Sequence, residues 1–441
     1  MDGQASIPAL LLQIVFIGAC NNLGAEVTHK LTNQRLFALD AARGIAMLLV
    51  CTAHFIDIYY PDGIQSENLL VNSLYLLCRI ATPTFVIVSG ILVGYFSKIN
   101  PQGFAQLRLH LFDRALFLAT AGHILMAASL ATRSGFAKAL SSGYVTDMLA
   151  FCVIGGLFVF RYTLTSSTRL RLGIMLYLIG WAGWSFWHPD NPMLITLRAI
   201  MLGPDENGPL IVGFPLLPWF GVYLIATFIG NWLGKFERSN LPLAAKALAK
   251  LSGIVLGTAV FTKVFLFVLR NYGVIDMTSS SVYLPLVSYQ KYPPGPFYIL
   301  IFASAALLLL SGLLSLSRAK ETNMYLNIAE QIGRNSFSIY VIQFFIYYTA
   351  FYFLMTQIYV PTFPIAILFH FSSLFCIALL SMAFSRFKLN RALTIGLPAM
   401  VRRWPVLNDL GEQPTSIMPS KLGSIGPIFS DRSKSNAEGQ S

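Results

Sequence analysis

Four side chains in one apolar stretch are able to do chemistry. Residues 35–60 read RLFALDAARGIAMLLVCTAHFIDIYY and carry Asp40, Arg43, His54 and Asp57. On a helix, Asp40 and Arg43 are three apart, so they share a face and can pair. Ten residues separate Arg43 from His54. Eleven steps of about 100° return near the starting azimuth, roughly 16 Å further along the axis. One stripe therefore holds an ion pair near its start and an imidazole well along it. Asp57 follows His54 by one turn, where a carboxylate would fix the imidazole tautomer and raise its basicity. Such a histidine is a general base or a nucleophile. The plainer alternatives are a histidine bonded to a backbone carbonyl and an aspartate in interfacial water.

Other polar groups sit at membrane depth, where ionisable residues are expensive and functional by default. Arg79 begins RIATPTFVIVSGILVGYF and lies about 15 Å into its stretch at 1.5 Å per residue. Pro83 frees a backbone carbonyl and can open a polar cavity. Ser89-Gly90 lets another helix approach closely. A further stretch opens GFPLLPWFG, a broken start in which Trp219 is either an interfacial belt residue or a pocket wall. The loop KYPPGP repeats that style with a base, Lys291, an aromatic, Tyr292, and a rigid turn. His123 and Lys263 are also at membrane depth and are given no role. No metal site is expected.

Holding these groups requires a scaffold, and composition specifies its kind. Of 441 residues 55% are hydrophobic and 11% charged, against about 25% charged in soluble domains. A soluble chain could not hide that much apolar surface. Disordered chains are apolar-poor, which excludes that class too. Five cysteines without a CxxC spacing exclude a disulfide scaffold. The apolar runs are continuous rather than alternating, so the expectation is all-α: a polytopic membrane bundle and not a barrel.

Ten stretches are long enough to span, from Leu39–Tyr60 to Ile365–Phe384, the weakest being Tyr144–Tyr162, Leu172–Trp187 and Leu251–Leu269. Counted on alternate sides, one set of connections carries 21 Lys and Arg and the other 5. That asymmetry predicts both termini in the cytoplasm and a first helix running outward. It also accounts for the net charge of +12 without a nucleic-acid partner. Residues 1–34 form an N-terminal segment whose short apolar run, Ile7–Cys20, ends in a lipobox-like Ile-Gly-Ala-Cys but lacks a basic flank. Residues 35–385 form the membrane domain. Residues 386–441 turn to Ser, Pro, Gly and charge, the composition of a disordered cytoplasmic tail.

The segments LDAARGIAMLLVCTAH, PTFVIVSG, FPLLPWFG, KYPP and IGRNSFSIYVIQ, in that order, resemble the transmembrane acyltransferase superfamily. The nearest branch is that of bacterial relatives of the heparan-α-glucosaminide N-acetyltransferase catalytic domain. The resemblance runs from Arg35 to Phe384. It implies transfer of an acyl group, acetyl by analogy, from cytoplasmic acyl-CoA (acetyl-CoA) to a hydroxyl or amine of a sugar or glycan outside. The setting it implies is a bacterial inner membrane, with the lipid bilayer as a partner and homo-oligomerisation left open. His54 and Asp57 would be catalytic, Arg43 and Arg79 would serve the CoA, and Trp219, Lys291, Tyr292 and Gln343 the substrate. Gln343 departs from the pattern, because relatives often carry histidine there. A glutamine can still hydrogen-bond a substrate. The rival reading is a proton-coupled small-molecule transporter, which also uses intramembrane His, Arg and Lys on broken helices.

Overall fold

The structure, a computed structural model of the chain, describes residues 36–60, 68–162, 165–204, 211–272, 291–316, 323–358 and 362–387. The N-terminal segment 1–34 and the tail beyond residue 387 lie outside the described residues.

Twelve principal helices make up the described part. They are α1 Phe37–Tyr59, α2 Leu69–Ile99, α3 Pro101–Ser134, α4 Val145–Arg161, α5 Ser166–Phe186 and α6 Pro192–Met201. Then come α7 Leu216–Leu233, α8 Leu241–Asn271, α9 Pro296–Ser315, α10 Met324–Arg334, α11 Ser336–Thr356 and α12 Phe363–Phe387. Asparagine starts several of them. Asn68 Oδ1 accepts the Leu70 and Val71 N–H groups at the head of α2. Asn100-Pro101 and Asn191-Pro192 open α3 and α6, the side chain satisfying a free N–H and the proline needing none. β1 Ser142–Gly143 and β2 Ile211–Val212 pair in parallel over two residues.

All ten expected spans are helical, and eight are long and apolar enough to cross a membrane. The fourth and fifth, α4 and α5, fall short: α4 has 17 residues, and α5 begins with a polar turn holding Arg169 and Arg171. The doubted seventh, α8, is the opposite case, with 31 residues and an 18-residue window of mean hydropathy 2.0.

Glycines set the packing that matters for the site. A Cβ on Gly44 of α1 would collide with the Ala329 carbonyl of α10, and one on Gly333 of α10 with the Asp40 carbonyl. These two helices thus touch backbone to backbone, which explains why glycine follows Arg43. Gly90 and Gly94 of α2 lie against the carbonyls of Tyr223 and Thr227 of α7 in the same way. α1 runs between two apolar clusters. Ala38–Ala42 belong to the first, with α2, α4, α7 and α9. Met47, Cys51 and Phe55 belong to the second, with α11 and α12.

Candidate active site

His54 projects from α1 toward α11. Its Nδ1 lies 2.8 Å from Gln343 Oε1. A carbonyl oxygen only accepts, so Nδ1 carries the hydrogen and Nε2 keeps its lone pair. The rings of Phe344 and Tyr348 stand edge-on to the imidazole at 4.7 and 5.0 Å. Gln343 is fully buried, and its Nε2 has no hydrogen-bond partner among the described residues. Just after it α11 loosens into a π-helical stretch, Phe345–Phe351. The wider turn lets Tyr347, Tyr348 and Phe351 all be buried on this side.

Asp57 is not where the sequence reading put it. Its carboxylate is hydrogen-bonded by Tyr75 of α2, and Gln343 orients His54 instead. Nothing in local spacing announces a partner 289 residues away.

Arg43 and Arg79, paired in expectation, sit apart. Arg43 donates to Ser89 Oγ on α2 at 3.3 Å. The Asp40 carboxylate meets Arg334 of α10 at 3.8 Å, across the helix interface that the glycines create. Arg334 also bonds Glu330, one turn back. Arg43, Arg114 of α3 and Arg334 line one cavity of about 200 Å³, with Ser89, Thr146, Asn335, Ser336 and Ser338 among its neutral polar groups. The remaining wall is mostly apolar. Asn335 ties the α10–α11 junction to Ser381 and Ser385 of α12. Met47 and Tyr340 also line the cavity. The Tyr340 ring is tilted against Phe344 at 5.1 Å, and Phe344 touches His54. The cavity wall is therefore linked to the imidazole through the Tyr340 and Phe344 rings of α11.

Arg79 ends the first part of α2 with its guanidinium 5.7 Å over the Tyr75 ring. Its carbonyl accepts the Tyr298 hydroxyl at 3.2 Å. Trp219 is fully buried, edge-on to Tyr298 at 6.2 Å. A belt tryptophan would be exposed at the membrane–water boundary, whereas Trp219 belongs to the buried core, with its indole Nε1 unpartnered among the described residues. Lys291 Nζ stands 4.9 Å over the Tyr292 ring and 5.4 Å over Phe214, within electrostatic reach of His54. Tyr292 is within the same kind of reach of Tyr75, Tyr298, Tyr340 and Tyr348. His54, Gln343, Lys291 and Tyr292 are thus brought together, with Asp57 and Arg79 joined to the group through Tyr75. His123 is not part of it: its two ring nitrogens bond Asp147 and the Leu140 carbonyl, holding α3 to the first turn of α4 and to the segment before it.

Sequence reasoning missed Arg114, Arg334, Tyr75, Tyr340 and Tyr348. The signal for Arg334 lies in the IGRNS segment, which carries it beside Asn335.

Buried polar groups between apolar spanning helices, with a cavity carrying three arginines beside them, define a polytopic helical membrane protein with an internal site. The acyltransferase domain family matches residues 36–382, and the chain belongs to it. It is a membrane acyltransferase. No curated protein matches the sequence.

Proposed function

We propose that the protein moves an acyl group, acetyl by the motif resemblance, from cytoplasmic acyl-CoA to a hydroxyl or amine of a sugar or glycan outside a bacterial inner membrane. The observation that carries the reading is the cavity itself: three arginines at the basic end, a mostly apolar shaft, and His54 beyond it. CoA brings phosphates to guanidiniums, which bind them through paired N–H groups. Its neutral arm suits the shaft. The likeness to the heparan-α-glucosaminide N-acetyltransferase branch rests on the motifs alone and supports a sugar acceptor.

In this scheme His54 Nε2 uses its lone pair. It takes the proton of the acceptor as the acceptor attacks the thioester carbon, or it attacks that carbon itself. The carbon–sulfur bond breaks and the CoA sulfur leaves toward the basic end. Gln343 holds the tautomer through Oε1. Its unused amide hydrogens face the task of receiving the thioester oxygen as negative charge develops there. Lys291 and Tyr292 stand on the acceptor side.

Purified protein in detergent, given acetyl-CoA, is expected to consume thioester slowly even without the acceptor. His54→Ala should abolish this while the protein stays monodisperse. A carrier would leave the thioester intact, and a folded His54→Ala variant with near-normal turnover would remove the residue from the mechanism.

A further inference from the structure

We propose that Arg108, Arg161 and Arg169 form a binding site for a phosphate ester at the basic end of the bundle, beyond the mouth of the cavity. Arg108 of α3 is 8% exposed and Arg169 of α5 is 5% exposed. Basic residues that merely mark the inner side of a membrane protein are mostly exposed, and these two are more than nine-tenths buried, with the Nε of each sealed from solvent and unpartnered among the described residues. The Arg108 Nε is sealed and unpartnered, and its terminal nitrogens make no hydrogen bond among the described residues while remaining accessible. Its nearest company is the Phe104 ring, 5.9 Å from the guanidinium carbon. Phe104 meets Phe160 of α4 edge-on at 5.3 Å, and Arg169 lies 4.1 Å over Phe160. Arg161, which ends α4, is close enough to repel Arg108. Two crossed rings thus stand between two guanidiniums with a third cation alongside. Asp113, the buried carboxylate of α3, is five residues past Arg108, roughly 140° around the helix; Asp113, Arg161 and Arg169 each have interactions of their own, so Arg108 is the group an added anion would serve first.

A buried guanidinium without an acceptor is costly, and like charges close together add to the cost. An anion removes both penalties. Three cations match a phosphate monoester or diphosphate better than a single carboxylate, because the oxygens are more numerous and the charge is larger. The location fits the same ligand. Leu111 lines the cavity one turn past Arg108 on α3, and Val153 lines it on α4, about 12 Å before Arg161. Whatever occupies the Arg108 site lies on the approach to the cavity. Two sources supply the chemistry: the nucleotide end of CoA, which rests on the function proposed above, and the headgroup of an anionic phospholipid, which does not.

The test uses the full chain in neutral detergent with two probes. Adenosine 3′,5′-bisphosphate has the nucleotide phosphates and no thioester, and is titrated by calorimetry. Phosphatidylglycerol retained by the protein is read by native mass spectrometry. Arg108→Gln and Arg161→Gln are compared with wild type and with Lys246→Gln, an exposed base on α8. At least one probe should bind wild type and Lys246→Gln alike, and the two arginine variants at least tenfold more weakly. Loss confined to the bisphosphate assigns the site to CoA, and loss confined to the lipid assigns it to the bilayer. Should both probes bind all four proteins equally, or bind none, the site does not exist. If Arg108→Gln does not fold, Arg161→Gln carries the comparison. Acetyl-CoA consumption by wild type, measured in parallel, separates this outcome from failure of the acyltransferase reading.

Discussion

A glutamine amide offers one acceptor atom and two donor hydrogens, and Gln343 has committed only the acceptor. Leaving a buried donor unsatisfied costs about 1–3 kcal/mol, a cost that a substrate oxygen would relieve. Gln343→Glu separates the two functions. Glutamate still accepts the His54 Nδ1–H and would orient the ring at least as well, but it presents an anion where the donor was. If the donor stabilises the transition state, thioester turnover falls by about 10²–10³-fold with acyl-CoA affinity retained. Turnover equal to wild type would reduce Gln343 to an orienting group. Arg43→Lys makes the parallel test at the cavity: charge is kept and the planar fork is lost, so acyl-CoA affinity should weaken in a direct binding assay while acceptor saturation is unchanged. The stripe from Arg43 to His54 was legible in the sequence because helical periodicity alone generates it. The Asp57 and Trp219 roles were not, since their contacts join helices far apart in the chain and no local pattern encodes them.

At the scale of elements, α10 is the instructive case. Met324–Arg334 is too short and too charged to cross a membrane, so hydropathy alone gives no reason to expect it at the site. The stretch is nevertheless amphipathic, and its buried face, Ala329, Ile332 and Gly333, seats against α1. That seating delivers Arg334 to Asp40 and to the cavity. Gly44→Ala and Gly333→Ala should each destabilise the protein by about 1–3 kcal/mol or more, since the added methyl meets backbone that cannot rotate away. Gly253→Ala on α8 is the control: nothing lies within 4 Å of its position, and helix propensity favours alanine by up to about 1 kcal/mol. Melting temperatures followed by size-exclusion fluorescence should fall for the first two and hold or rise for the third. A fall for all three would attribute the effect to glycine loss in general and not to the α1–α10 contact.

For the molecule as a whole, the helical membrane class was fully legible, because composition and run length determine it without tertiary information. Span number was less so. α4 and α5 are helices at the lower limit of length or apolarity, and whether each crosses depends on what the bilayer and neighbours allow. The 21-to-5 distribution of Lys and Arg makes a definite prediction all the same. A C-terminal alkaline phosphatase fusion should be inactive, and a C-terminal green fluorescent fusion bright. The reverse pattern would mean an odd number of crossings or the opposite orientation. α8 adds a second whole-molecule property. Its 31 residues extend about 46 Å, beyond the roughly 30 Å of a hydrocarbon core, so it must tilt or project into the headgroups.

The π-helical stretch that follows Gln343 has a consequence for how this chain tolerates changes in length. Each π turn contains one residue more than the α-helical register needs. Deleting a residue inside a regular spanning helix rotates everything beyond it by about 100°. A deletion within Phe345–Phe351 would instead let the backbone relax to ordinary α-helix, sparing Gln343 and the helix beyond and shifting only the aromatics inside the stretch. Among relatives, gaps should therefore gather inside this helix, where a membrane span would ordinarily forbid them, and each should coincide with a change in the aromatic wall around the histidine.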